Sequence, residues 1–256
     1  MTSIRLTSSL AAAVFTLCAS ANTLAVTNIE SERDLNAADG LSGNLKFSLS
    51  GKSGNSDKES TRGGAYIRYG TPEREWLAIA KREYAKSNDV RDANNSFLHT
   101  RYIAHLSEKF AWETYVQHQS DEFRLLASRA LVGTGARWTL KKSDSQLIAF
   151  GASAYFTEEK FDLAAGDVSE DYARASFYGV YKVRLGANAQ LSNTIYYQPR
   201  LSQPSDHYIA NSFALKTMIN DSLSLEVGVE SLFDSDPVED LEKADHSYTT
   251  SLVYSF

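Results

Sequence analysis

The run Tyr248-Thr-Thr250-Ser-Leu252-Val-Tyr254-Ser-Phe256 constrains this chain more than any other feature. Tyr248, Thr250, Leu252, Tyr254 and Phe256 alternate with Thr249, Ser251, Val253 and Ser255, and a period of two sends these sets to opposite faces of a strand. Chain ends fray unless they are tied down. A strand that stops on an outward aromatic residue is therefore expected to be held by a partner strand, with its rings at a bilayer interface.

The opposite end gives a matching expectation. A polar stretch with one cation, Arg5, precedes the short apolar run Leu10–Leu17, and small residues follow at Ala19-Ser-Ala21 and Thr23-Leu-Ala25. This is the layout of a secretory signal over 1–25, cleaved after Ala21 or Ala25. The apolar run falls far short of the ~20 residues of a spanning helix. Cys18 lacks the small neighbour of a lipidation site, since Phe15-Thr-Leu17 precedes it, and it leaves with the signal. No other cysteine exists, so disulfides and cysteine-held metals are excluded. Residues 26–40 read as a short periplasmic lead-in.

Alternating runs recur from Leu41 to Phe256. Leu45, Phe47 and Leu49 oppose Lys46 and Ser48; Leu98, Thr100, Tyr102 and Ala104 oppose His99 and Arg101; Val132, Thr134, Ala136 and Trp138 oppose Gly133, Gly135 and Arg137. About twelve such runs are separated alternately by tight turns and longer polar linkers, among them Ser87 to Asn95, rich in Asn and Asp, and the longest, Thr157 to Asp171. The third run is ambiguous, because Arg82 falls in phase with Trp76 and Tyr84, and the seventh is apolar on both faces. Fourteen Tyr and twelve Phe with only four Pro fit strands that are apolar on one side. The reading is an all-β fold: one up-and-down antiparallel transmembrane barrel of about 12 strands over 41–256, in the outer membrane of a Gram-negative bacterium. A soluble barrel or sandwich would leave the aromatic ending and the linker asymmetry unexplained. The net charge of −6 argues against nucleic acid as a partner.

Ser53-Gly-Asn-Ser-Asp57, the Gly-rich strand at Gly133-Thr-Gly135 and the ending Thr250–Phe256 resemble the salt-induced outer-membrane proteins, a family otherwise described as a domain of unknown function. The resemblance covers roughly Leu41 to Phe256. It implies an outer-membrane barrel linked to salt or envelope stress, and no catalytic residues.

The inward face carries the candidate site. Phasing from the closing strand turns Lys46, His99, Arg101, His105, Arg137, Arg174, Lys182 and Arg184 inward, together with Glu113, Glu226 and Glu230. Charges facing lipid cost a few kcal/mol, so the lumen is where they belong. Such charges either interlock and plug a narrow barrel or border a water-filled constriction that selects small solutes or ions. Glu158, Glu159, Asp162, Asp234, Asp236, Glu239 and Asp240 form an expected acidic, solvated rim whose spacing matches no metal loop. Trp138, Tyr254 and Phe256 are expected at the periplasmic membrane interface.

Catalytic motifs such as Gly-x-Ser-x-Gly and His-Glu-x-x-His are absent. Asp206-His207 and Asp245-His246 are the nearest approach to a hydrolase, omptin-like or phospholipase-like, but adjacent strand residues face opposite ways. The expected protein is thus a non-enzymatic porin-like barrel without cofactor or metal. Its expected partners are outer-membrane lipid and lipopolysaccharide, the barrel-assembly machinery through the closing strand, and a small solute or ion.

Overall fold

The computed structural model describes residues 29–33, 35, 39–52, 58–88, 90–238 and 241–256. The signal region 1–25 with both cleavage sites, the Ser53–Asp57 motif, Glu239 and Asp240 lie outside the described residues.

Period-two alternation gives every strand one apolar and one polar face, and such strands avoid an unpaired edge by closing on themselves. Twelve antiparallel strands do so here: β1 (Gly40–Lys52), β2 (Lys58–Gly70), β3 (Arg74–Ser87), β4 (Val90–His105), β5 (Phe110–Asp121), β6 (Leu126–Lys142), β7 (Gln146–Leu163), β8 (Gly166–Leu185), β9 (Ala189–Pro199), β10 (His207–Met218), β11 (Leu223–Asp234) and β12 (Ala244–Ser255). Each pairs with its sequence neighbours, and β12 returns to β1. The chain is an all-β closed barrel of 12 strands in up-and-down order. Phe256 exchanges both backbone hydrogen bonds with Gly43, each 3.0 Å.

The outer wall carries Leu45, Phe47, Ile67, Trp76, Leu98, Trp112, Val132, Trp138, Phe150, Phe177, Ile195, Val227, Tyr254 and Phe256, all exposed. The third strand resolves with Leu77, Ile79 and Glu83 buried inside. Arg82 is exposed and donates to Asn94 Oδ1 at 2.5 Å. In the seventh, Ala149, Gly151 and Tyr155 are buried while Phe150 and Phe156 are exposed.

Turns at the end where β1 starts and β12 finishes, called proximal here, are short: 71–73, 106–109, 143–145, 186–188 and 219–222. At the distal end, two expected linkers are strand instead. The stretch read as the longest loop, 157–171, continues β7 to Leu163 and starts β8 at Gly166, so that Glu158 pairs with Asp171 and Glu159 with Glu170 across a two-residue turn. Ser87 to Asn95 likewise belongs almost wholly to β3 and β4. Acidic residues and Asn are weak strand formers, which is why these stretches read as loops. Ladder hydrogen bonds with a neighbour override that preference.

The described part of the lead-in is not below the barrel. A 3₁₀ turn, Glu30–Glu32, sits in the lumen, and Ile29 is buried among Tyr66, Leu77, Ile79, Phe97, Ile103 and Ala111. An isoleucine gains about 1.5–3 kcal/mol by such burial, and the neighbouring carboxylates find cations there.

Candidate functional site

The inward side chains divide the lumen into two halves. Along β4 to β9 they are large. Arg101 Nη1 donates to Glu113 Oε2 at 2.8 Å, and Tyr178 OH donates to the same oxygen at 2.8 Å. Arg137 Nη1 donates to Tyr178 OH at 3.2 Å. Tyr178 has room because Gly151 stands opposite it on β7, where an added Cβ would lie 2.0 Å from its ring. Gly133 makes the same room for Tyr115. Nearer the distal end, Arg129 Nε donates to Glu159 Oε1 at 2.6 Å, and Arg174 Nη2 donates to Asp206 Oδ1 at 2.5 Å. The Arg174 guanidinium lies 4.2 Å from the centroid of the Tyr208 ring. These arginines are buried, so removing one partner of a pair is costly even though the intact pair adds little net stability.

On β10, β11, β12 and β2 a group of inward residues at mid-height is small: Ser212, Ala214, Gly228, Ser247, Ser251 and Gly64. They leave a vestibule with about 920 Å³ of empty space, open solvent at its mouth included. Lys46, Arg62 and Lys81 of β1 to β3 and Glu226 and Glu230 of β11 border it, with Lys46 and Glu226 in contact.

The 3₁₀ turn stands on the proximal side of the lumen and contacts both halves. Glu30 takes Arg137 through both oxygens, at 2.8 and 3.1 Å. Glu32 Oε2 lies 2.8 Å from Lys46 Nζ, which also donates to Glu226 Oε1 at 2.7 Å. Arg33 Nη2 donates to both Glu75 oxygens at 3.0 Å, and Lys182 donates to the Arg33 carbonyl. Burial by itself would raise the Glu30 carboxyl, but Arg137, Arg33 and Lys182 outweigh it and hold the group well below the usual carboxylate range. Burial opposes ionisation of Glu32 too, yet Lys46 and Lys81 bring it down to about 2.

The structure places Arg101, Glu113, Arg137, Arg174 and Lys182 in the filled half or on the 3₁₀ turn, and Glu226 and Glu230 in the vestibule. Lys46, His99 and His105 face inward as well, whereas Arg184 is exposed near the proximal end. The acidic group splits. Glu158, Asp162 and Asp236 are exposed, but Glu159 is buried against Arg129, and Asp234 is buried with Arg124 Nη2 at 3.5 Å from its Oδ2. Alternation accounts for Glu159, which is in phase with Tyr155 on the inner face of β7. Arg124, in the 3₁₀ turn Glu122–Arg124 between β5 and β6, also pairs with Asp245 across the distal mouth. Trp138, Tyr254 and Phe256 are exposed on the outer wall toward the proximal end.

Neither Asp-His pair forms a dyad among the described hydrogen bonds. Asp206 binds Arg174 while His207 Nδ1 contacts the Ser205 carbonyl at 2.8 Å; Asp245 binds Arg124 while His246 Nδ1 contacts Ser231 Oγ at 2.9 Å. Sequence reasoning missed Glu30, Glu32 and Arg33, whose irregular segment has no periodicity to place it. It also missed Arg129, although this residue shares its phase with Gly133 and Arg137.

Residues 45–256 match the family described as protein of unknown function, DUF481. No curated protein matches the chain. Among solved structures, the NanC porin superposes with a TM-score of 0.52 at 10% identity, covering 84% of this chain and 98% of its own. An outer-membrane channel from Pseudomonas putida F1 gives 0.51 at 11% identity, covering 90% and 100%. At such identities the likeness is one of fold.

Proposed function

This chain belongs to the DUF481 family, and we propose that it is a non-enzymatic, porin-like barrel of the Gram-negative outer membrane that admits small polar solutes or ions to its lumen. The vestibule carries the reading: small inward residues leave a water-accessible space, and cationic and carboxylate side chains border it. Such a field orients and selects small charged or dipolar solutes. At its floor, the turn Glu30–Glu32 with Arg33 ties β1, β3, β6 and β8 together through ion pairs and hydrogen bonds. Passage through the barrel requires this turn to leave. The resting protein is then a closed channel, with lipid and lipopolysaccharide around its wall and the proximal end in the periplasm. A role under salt or envelope stress, implied by the sequence resemblance, belongs to the same proposal.

Planar-bilayer conductance tests it. Wild-type protein is expected to conduct rarely, and Glu30→Gln/Glu32→Gln to open in discrete steps. A variant that folds as a barrel, lacks residues 29–33 and still does not conduct would overturn the channel reading. It would favour a plugged structural barrel, the reading that the interlocked arginines of β4 to β9 support.

A further inference from the structure

Eleven of the twelve strand pairs are stitched by at least nine facing residue pairs, the fewest being between β8 and β9. The pair that closes the barrel has four, from Asn44 opposite Ser255 to Phe47 opposite Leu252, extended at the proximal end by the Gly43–Phe256 hydrogen bonds. Both strands continue toward the distal end beyond this point. β1 stays paired with β2 as far as Lys52 opposite Lys58, and β12 stays paired with β11 as far as Ala244 opposite Phe233. Two intact sheet edges therefore face each other without a ladder. Among the described residues they are linked by one side chain, Ser48 Oγ donating to the Thr250 carbonyl at 2.8 Å.

A bare edge is costly in hydrocarbon, where no water satisfies the backbone. This one borders the vestibule: Ser48, Ser247, Thr249 and Ser251 line the inner side of the gap, while Phe47, Leu49 and Tyr248 are exposed on its outer side. The gap thus joins a polar chamber to an apolar wall. The chamber's charges indicate which polar group it suits. Lys46 is held by Glu32 and Glu226, Lys81 by Glu32, and Arg62 by Glu83. Glu230 has no ion pair among the described residues, and its strand neighbours facing inward are Ser212 and Ser247.

We propose that the β1–β12 seam is a lateral portal through which a single-tailed amphiphile with an ammonium head passes between the outer leaflet and the vestibule. The head sits at Glu230 among the serine hydroxyls, and the tail lies across Phe47 and Leu49. Its polar end supplies hydrogen bonds that the missing rungs leave unmade. The proposal rests on the barrel lying in the outer membrane and does not require conduction through the floor.

Continuing the register from Phe47 and Leu252 sets Leu49 opposite Thr250. Leu49→Cys/Thr250→Cys therefore gives a seam that an oxidant closes and a reductant reopens in a mature chain with no other cysteine. The protein is reconstituted in phosphatidylcholine vesicles and titrated with nitroxide-labelled dodecylammonium, with dodecyl sulfate as the contrasting probe. Saturable broadening of the Ser247 and Thr249 amide signals is expected with the ammonium probe alone. It should weaken about tenfold in Glu230→Gln, the loss of one charged hydrogen bond, vanish on cross-linking, and return on reduction. Broadening indifferent to both changes would overturn the portal. So would slow amide exchange at Leu49 and Tyr248 in the wild type, which would mean a zipped seam whether or not the cross-link forms. A barrel that binds the probe but never conducts sinks the channel reading alone; one that conducts but binds no probe sinks the portal alone.

Discussion

The two halves of the lumen have the same backbone and opposite interiors. Along β4 to β9, arginines and tyrosines reach inward and glycines opposite them make room; on β10 to β2, a cluster of serine, alanine and glycine leaves space between larger side chains such as Tyr66 and Tyr208. A barrel of this size is wider than the eight strands that side chains fill easily. Whether it holds protein or water is therefore decided by the inward residues strand by strand. On the proposed channel reading, solute access belongs to the emptier half and rigidity to the filled one.

If the filled half is the structural one, Arg101→Ala should destabilise the barrel by about 3–5 kcal/mol, because Glu113 keeps its buried charge without its cation. Urea unfolding checks this, and a small effect would mean that water already reaches that half. Next in size is Gly151→Ala, expected to cost about 1–3 kcal/mol as Tyr178 is pushed off its site. A Tyr178→Ala background should remove most of that cost if the clash with the ring is its source.

In the emptier half the effects should appear in ion preference rather than stability. Glu230→Gln should shift selectivity toward anions more than Glu226→Gln, whose carboxylate is already matched by Lys46. Reversal potentials in asymmetric salt measure this, and the opposite order would mean the path runs along Lys46. Stability should change by less than about 0.5 kcal/mol for Glu230→Gln. The smallest effect is expected from pH. Glu30 and Glu32 are held below their unfolded values, so their contribution is present above about pH 4.3 and is lost only as pH falls through the folded values, about 2 for Glu32. Conductance at pH 4 should match that at pH 7, and opening between them would mean the turn is anchored otherwise.

Alternation made much of this legible. The period of two in Leu98–Ala104 or Val132–Trp138 is a property of the residues themselves, and so the strands, their closure and the inward direction of Arg101 and Arg137 could be read directly. The seating of Ile29 to Arg33 could not, because it depends on cations from β1, β3 and β6 that converge only after closure. Glu159 and Asp234 looked like rim residues because their arginine partners are distant in sequence, Arg129 by 30 positions and Arg124 by 110. The short ladder at β1 and β12 left no trace either, since Ser48-Leu-Ser50 alternates as well as any paired segment.

Arg124 stands between β5 and β6, and its partners Asp234 and Asp245 stand at the ends of β11 and β12, six strands away in a ring of twelve. That is half the circumference. The contact is a bar across the distal opening and not a link along its edge. The opening is consequently two apertures, one framed by β12 and β1 to β5 and the other by β6 to β11. An arriving molecule meets a divided entrance, one doorway on the side of Lys46 and Arg62 and the other over the space bordered by Arg129, Tyr172 and Arg174, and a single side chain stands between them.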